Sequence, residues 1–237
     1  IYKISLDLIG KKSYSFYAGF LFVLMSHWNE GNAVLLEIPS MFLGLWGFYL
    51  TIKTEKKVCT FAFAGLLLSL SFLVKQYGLG FFILCFIVLI MNRYTFKNII
   101  LFSVSFVIPI IICFTLFGKN FIQILGGNGY GGDFEISNVL NVLIYRAIYL
   151  FLRISPVLAI SYLFSVFTLK SKIQWNYLLI FSLGILGFML QFAFGSFTHY
   201  YLYILPFVSI IIFYVFAHLK KLKWLFTGVL LLTFALN

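Results

Sequence analysis

The chain has 237 residues, of which 63% are hydrophobic, 21% aromatic and 10% charged, and its mean hydropathy is +1.07. That balance excludes an ordinary soluble domain, where roughly a quarter of the residues carry charge. The net charge of +11 reads as topogenic and does not point to a nucleic-acid partner, because the basic residues are scattered over short loops and not gathered into one patch.

Hydrocarbon cannot solvate bare peptide groups, so apolar runs of this kind form helices. In chain order the sequence predicts nine such runs, near 13–28, 36–52, 58–74, 77–92, 98–117, 154–169, 175–194, 201–217 and 224–237. The expectation is an all-α polytopic transmembrane helical bundle of about nine spans, forming a single transmembrane domain over 1–237. Several runs fall short of the roughly 20 residues of a full span, so they extend into polar flanks, tilt or break. A further apolar segment at 138–150 carries Arg146 and reads as interfacial or re-entrant. Ile1 opens in mid-pattern, so the sequence reads as a fragment lacking its N-terminal span or spans and first external loop. The last run stops at Asn237, so the C-terminus reads as cut too.

The basic residues orient this layout, since Lys and Arg accumulate in cytoplasmic loops. One side collects Lys3, Lys11, Lys12, Lys53, Lys56, Lys57, Arg93, Lys97, Lys170, Lys172, Lys220, Lys221 and Lys223; the other receives Lys75, Lys119, Arg146 and Arg153. The expected location is the cell inner membrane, with the basic loops cytoplasmic and the side of Lys75 and His199 external. Glu30, Glu37, Asp133 and Glu135 also fall outside, so polar chemistry concentrates there. Cys59, Cys85 and Cys113 show no paired spacing and read as small packing residues.

Four external segments carry candidate functional residues. Lys75 and Gln76 lie between two spans joined by almost no loop; Lys75 reads either as a lysine snorkelling to headgroups or as an ammonium held for a lipid phosphate. Arg146 and Arg153 add planar donors suited to phosphate oxygens. Glu37 precedes Pro39 at a span start, where it suits a helix N-terminus or serves as a polar or acid/base group, seven residues from Glu30.

The glycine-rich loop 118–138, with LGGNGYGGDFEISN, lacks the ending of a nucleotide-binding loop. It reads as a connector or as a mobile external loop offering Tyr130, Asp133 and Glu135 to sugar hydroxyls. In GSFTHYYLYILP the tyrosines read as an aromatic belt, while His199, on a face with Tyr203 and Pro206, is a candidate ligand for phosphate, sugar or metal, with Tyr200 beside it. His27 and His218 lack such company.

The order LLEIPSMFLGLWGFYL, KTEKK, FAGLLLSLSFLVKQYG and later HYYLYILPF resembles the membrane glycosyltransferases of the GT-C type, in particular bacterial relatives of the protein O-mannosyltransferases and the lipid A aminoarabinose transferases. The resemblance covers most of the chain. It implies transfer of a sugar from a polyprenyl-phosphate donor to a glycan, lipid or protein acceptor on the outer face. It also implies a catalytic acid in the family's first external loop. Because IYKISLDLIGKKSYSF resembles the region after the family's second span, that acid is expected upstream of Ile1, and no residue of this chain is assigned as the principal base.

The remaining roles follow the resemblance: Lys75, with Gln76, Arg146 and Arg153, for donor phosphate; His199, Tyr200, Tyr130 and Asp133 for donor or acceptor sugar; Glu37 as a secondary polar or metal contact. No cofactor is fixed, and a divalent metal is the one candidate. The alternatives are an O-antigen-type polysaccharide polymerase, expected to carry an arginine-rich external loop; a lipid-linked oligosaccharide flippase or transporter, expected to carry mid-span ionisable residues or inverted repeats; and a non-catalytic membrane subunit.

Overall fold

A computed structural model describes residues 1–28, 36–53, 57–121, 144, 172–191 and 202–218. All regular structure among them is helical: α1 (Tyr2–Ile9), α2 (Lys12–Trp28), α3 (Glu37–Ile52), α4 (Val58–Val74), a 3-10 turn (Gln76–Gly78), α5 (Leu79–Met91), α6 (Phe96–Phe117), α7 (Lys172–Gln191) and α8 (Leu205–His218). The all-α expectation holds for these residues. Among them one helix, α6 with 22 residues, is long and apolar enough to cross a membrane. The predicted runs at 154–169 and 224–237, nearly all of 138–150, and the loop beyond Phe121 lie outside the described residues.

The chain divides into two compact units. The first comprises Ile1–Glu30, Phe134–Ala193 and Ile204–Asn237, and the second Gly31–Asp133 and Phe194–Tyr203. In the first unit α1 and α8 pack on α2, and α7 packs on α8. Aromatic rings make much of this contact: Tyr17 of α2 stacks on Phe213 at 6.0 Å, and Phe207 of α8 meets Phe181 and Phe188 of α7 at 6.0 and 5.9 Å.

Helix α1 was not expected, since Tyr2–Ile9 is too short for a span and its lysine and aspartate resemble loop residues. It forms because Ile4 and Ser5 bury one face. It stops because Gly10 takes a left-handed conformation (φ 70°) and turns its N–H back to the Leu6 carbonyl at 2.9 Å.

In the second unit short reversals fold α3 to α6 back and forth, with α4 packed against both α3 and α6. Small residues bring the backbones together: a methyl group on Gly65 would run into the Phe102 carbonyl, one on Gly47 would meet Leu68 at 2.7 Å, and one on Gly44 would enter the Phe81 ring. Glycines at such contacts permit helices to associate by van der Waals packing, which operates where lipid is the solvent. Phe82 of α5 stacks on Phe102 and Phe106 of α6 at 5.3 and 3.8 Å. The outward face of α6 is apolar, with Val104, Ile108, Ile111 and Leu116 exposed.

The packing role expected of the cysteines holds for Cys85, which is fully buried, and partly for Cys113. It does not extend to Cys59, which is exposed in the first turn of α4.

Candidate functional site

One end of the second unit brings together Glu37 and Lys75, two of the candidate residues. Glu37 opens α3, and Pro39 sits in the same first turn, where its missing N–H costs no helical hydrogen bond. A carboxylate there also complements the positive end of the helix dipole. Across from it α4 ends at Val74 because Lys75 turns extended (φ −155°, ψ 130°), after which Gln76–Gly78 make a single 3-10 turn into α5. The antiparallel course of α3 and α4 therefore sets the start of one beside the finish of the other.

The Lys75 Nζ stands 2.9 Å from Glu37 Oε1. The Glu37 side chain is 3% exposed and that of Lys75 23%. A carboxylate withdrawn from water this far requires a close cation, and Lys75 supplies it while keeping part of its side chain at the surface.

Beneath the ion pair the two helices are clasped by serines. The Ser40 hydroxyl donates to the Ser71 carbonyl at 2.8 Å, the Ser71 hydroxyl donates to the Ser40 carbonyl at 2.7 Å, and the two oxygens lie 3.2 Å apart. The Ser71 carbonyl also accepts the Lys75 N–H at 3.1 Å, so the residue that carries the ammonium is tied by its backbone to the clasp. Gly78 closes the turn against α4, where a methyl group would meet Ser71 Oγ at 2.5 Å. Gln76 is half-buried next to Lys75.

Tyr203 packs at the same end. Its ring centroid is 6.0 Å from that of Tyr77 and 6.0 Å from that of Phe81, and its side chain is fully buried. The expected belt role therefore does not describe Tyr203, whose ring is part of the packing around the 76–81 segment. Arg146, Arg153, Tyr130, Asp133, His199 and Tyr200 lie outside the described residues, as do Glu30 and Glu135.

Ser40, Ser71 and Tyr77 were not singled out from the sequence. A signal was present: Ser40 lies three residues after Glu37 and Ser71 four before Lys75, so helical spacing sets each serine one turn inward from a charge. Among the described residues no group of three His, Cys, Asp or Glu is placed to hold a metal ion. Comparison with protein families, curated proteins and solved structures finds no match.

Proposed function

We propose that the chain is part of a multi-pass membrane glycosyltransferase of the cell inner membrane, moving a sugar from a polyprenyl-phosphate donor to a glycan, lipid or protein acceptor on the outer face. The observation that carries the reading is the ion pair, in which a buried carboxylate holds a partly exposed ammonium at 2.9 Å. Sugar transfer at the anomeric carbon sends negative charge onto the departing phosphate, and a cation fixed beforehand stabilises that charge without reorganising. The pair is formally neutral, so it offers a directed N–H donor more than an attractive field.

In this reading Lys75 contacts the donor phosphate, Glu37 positions Lys75, and Gln76 adds a neutral donor alongside. Arg146, Arg153, His199, Tyr200, Tyr130 and Asp133 remain the proposed remainder of the donor and acceptor site. The excess of Lys and Arg in the basic loops supports a cytoplasmic location for them.

The reciprocal serine bonds favour a second reading, in which the ion pair is a structural clasp. Transfer of labelled hexose or pentose from polyprenyl phosphate, measured in membranes carrying the full-length protein, separates the two. Lys75→Ala is expected to abolish transfer. It also strands a buried carboxylate, so the informative variant is Glu37→Leu with Lys75→Met, which removes both charges. A folded and inactive double variant supports the phosphate role; a folded and active one assigns the pair to structure alone, and a wild-type protein that transfers neither sugar removes the glycosyltransferase reading.

A further inference from the structure

Among the described residues, three helices are followed by a residue of positive φ: Gly10 after α1 (φ 70°), Gly118 after α6 (φ 54°) and Arg93 after α5 (φ 54°). Glycine is favoured at such positions because it has no Cβ to clash with the turn. Arg93 is the one non-glycine with positive φ among the described residues. The bonds that close α5 are backbone bonds, with the Arg93 N–H donating to the Ile90 carbonyl at 3.0 Å and the Tyr94 N–H to the Leu89 carbonyl at 3.2 Å. A glycine would make the same bonds with less strain, so the turn itself does not call for an arginine.

The surroundings of Arg93 are cationic. Lys53 caps the end of α3, Lys57 the start of α4, Arg93 follows α5, and Lys97 lies in the first turn of α6. The back-and-forth course of the four helices collects these positions at the end opposite Glu37 and Lys75. The Tyr94 ring, 5.0 Å from that of Phe61 one turn into α4, ties the two reversals together. By sequence, positions 53–57 and 93–97 hold five basic residues against the one acid Glu55, so the excess persists whichever of them Glu55 meets. Of these, Lys56 and Glu55 lie outside the described residues; Lys57, Arg93 and Lys97 are exposed. Phe96, between Arg93 and Lys97, is 76% exposed, which sets a large apolar ring among the cations as at a membrane interface.

We infer that this end of the second unit binds the phosphate of an anionic phospholipid headgroup, with the planar fork of Arg93 as its main donor and Lys57 and Lys97 beside it. The arginine is kept at a glycine-type position because its guanidinium is used, not because the turn needs it. The inference rests on the membrane placement proposed above and is independent of sugar transfer.

The test uses the full-length protein in lipid nanodiscs of phosphatidylcholine alone or of phosphatidylcholine with phosphatidylglycerol. Wild type is expected to melt higher in the mixed discs, and native mass spectrometry to show retained phosphatidylglycerol. Arg93→Gly is expected to melt at or above wild type in phosphatidylcholine, to lose most of the anionic-lipid increment, and to retain phosphatidylglycerol about fivefold less strongly. An unchanged increment and unchanged retention in the variant would overturn the inference. So would a lower melting temperature of the variant in phosphatidylcholine, which would make the arginine side chain part of the fold. Failure of the wild type to enter phosphatidylcholine discs would instead remove the membrane placement, and this site with it.

Discussion

The two ends of the second unit handle charge in opposite ways. At one end a buried carboxylate and a partly exposed ammonium compensate each other at 2.9 Å, above serines that bond reciprocally across the two helices. At the other end Lys57, Arg93 and Lys97 are exposed, and the described residues there include no acid. Charge answered within the chain fixes one geometry at the first end, and the exposed charges of Lys57, Arg93 and Lys97 at the second are those inferred above to meet an outside anion. The first arrangement suits a reacting phosphate that must be met in one geometry. The second suits headgroups, which arrive in many orientations and exchange.

The largest effect is expected from breaking the compensation. Lys75→Ala leaves Glu37 buried without its cation and is expected to lower unfolding stability by about 3–5 kcal/mol. Glu37→Leu with Lys75→Met removes both charges and is expected to recover most of that loss, because the desolvation cost disappears with the attraction. Thermal unfolding in detergent checks both variants. A double variant as unstable as the single would mean that the attraction, and not the avoidance of a stranded charge, carries the stability of this end.

A smaller effect tests the clasp. Ser40→Ala and Ser71→Ala each remove one hydroxyl donor and are expected to cost about 1 kcal/mol. The Ser71 carbonyl keeps the Lys75 N–H when Ser40 is changed, so it is not left bare. Because the two hydroxyls also touch each other at 3.2 Å, the pair is expected to be non-additive in a double-mutant cycle. Full additivity would show that the two bonds act as separate fastenings.

Much of this frame was legible from local pattern. Helix α4 occupies the predicted run at 58–74, and α3 starts one residue inside its predicted run at Glu37, since charges and Pro39 bound both. What local pattern does not carry is pairing. From the sequence Glu37 reads as a helix start or an acid/base group near Glu30, and Lys75 as a snorkelling lysine or a phosphate donor, but neither is paired with the other, because their meeting depends on α3 and α4 running antiparallel in one register. The serines were hidden for the same reason: a hydroxyl in an apolar run looks neutral until its partner helix is placed. Helix α1 escaped because eight residues with two charges resemble a loop, and its formation depends on packing against α2 and α8. The number of spans is also beyond periodicity, since α3 and α4 at 16 and 17 residues fall near the limit at which helix length ceases to discriminate.

The smallest expected effect is at the cationic end, and its sign is informative. Lys97 lies in the first turn of α6, where the unsatisfied N–H groups give the helix its positive pole, and Thr95 at the N-cap makes no side-chain bond to them. A cation there opposes the dipole, so Lys97→Gln is expected to raise stability in neutral lipid by roughly 0.3–0.5 kcal/mol, read as a rise in melting temperature. Arg93 lies at the negative pole of α5, where its charge favours the helix by about 0.3–1 kcal/mol, less than the roughly 1–3 kcal/mol that its positive-φ backbone costs. The two residues therefore have opposite electrostatic relations to their own helices, and both are exposed at the same end of the unit. If Lys97→Gln is stabilising in phosphatidylcholine and the gain vanishes or reverses with phosphatidylglycerol, an outside anion compensates the charge. A destabilising change in neutral lipid would mean that Lys97 is already answered within the protein, and the contrast between the two ends would fail at that residue.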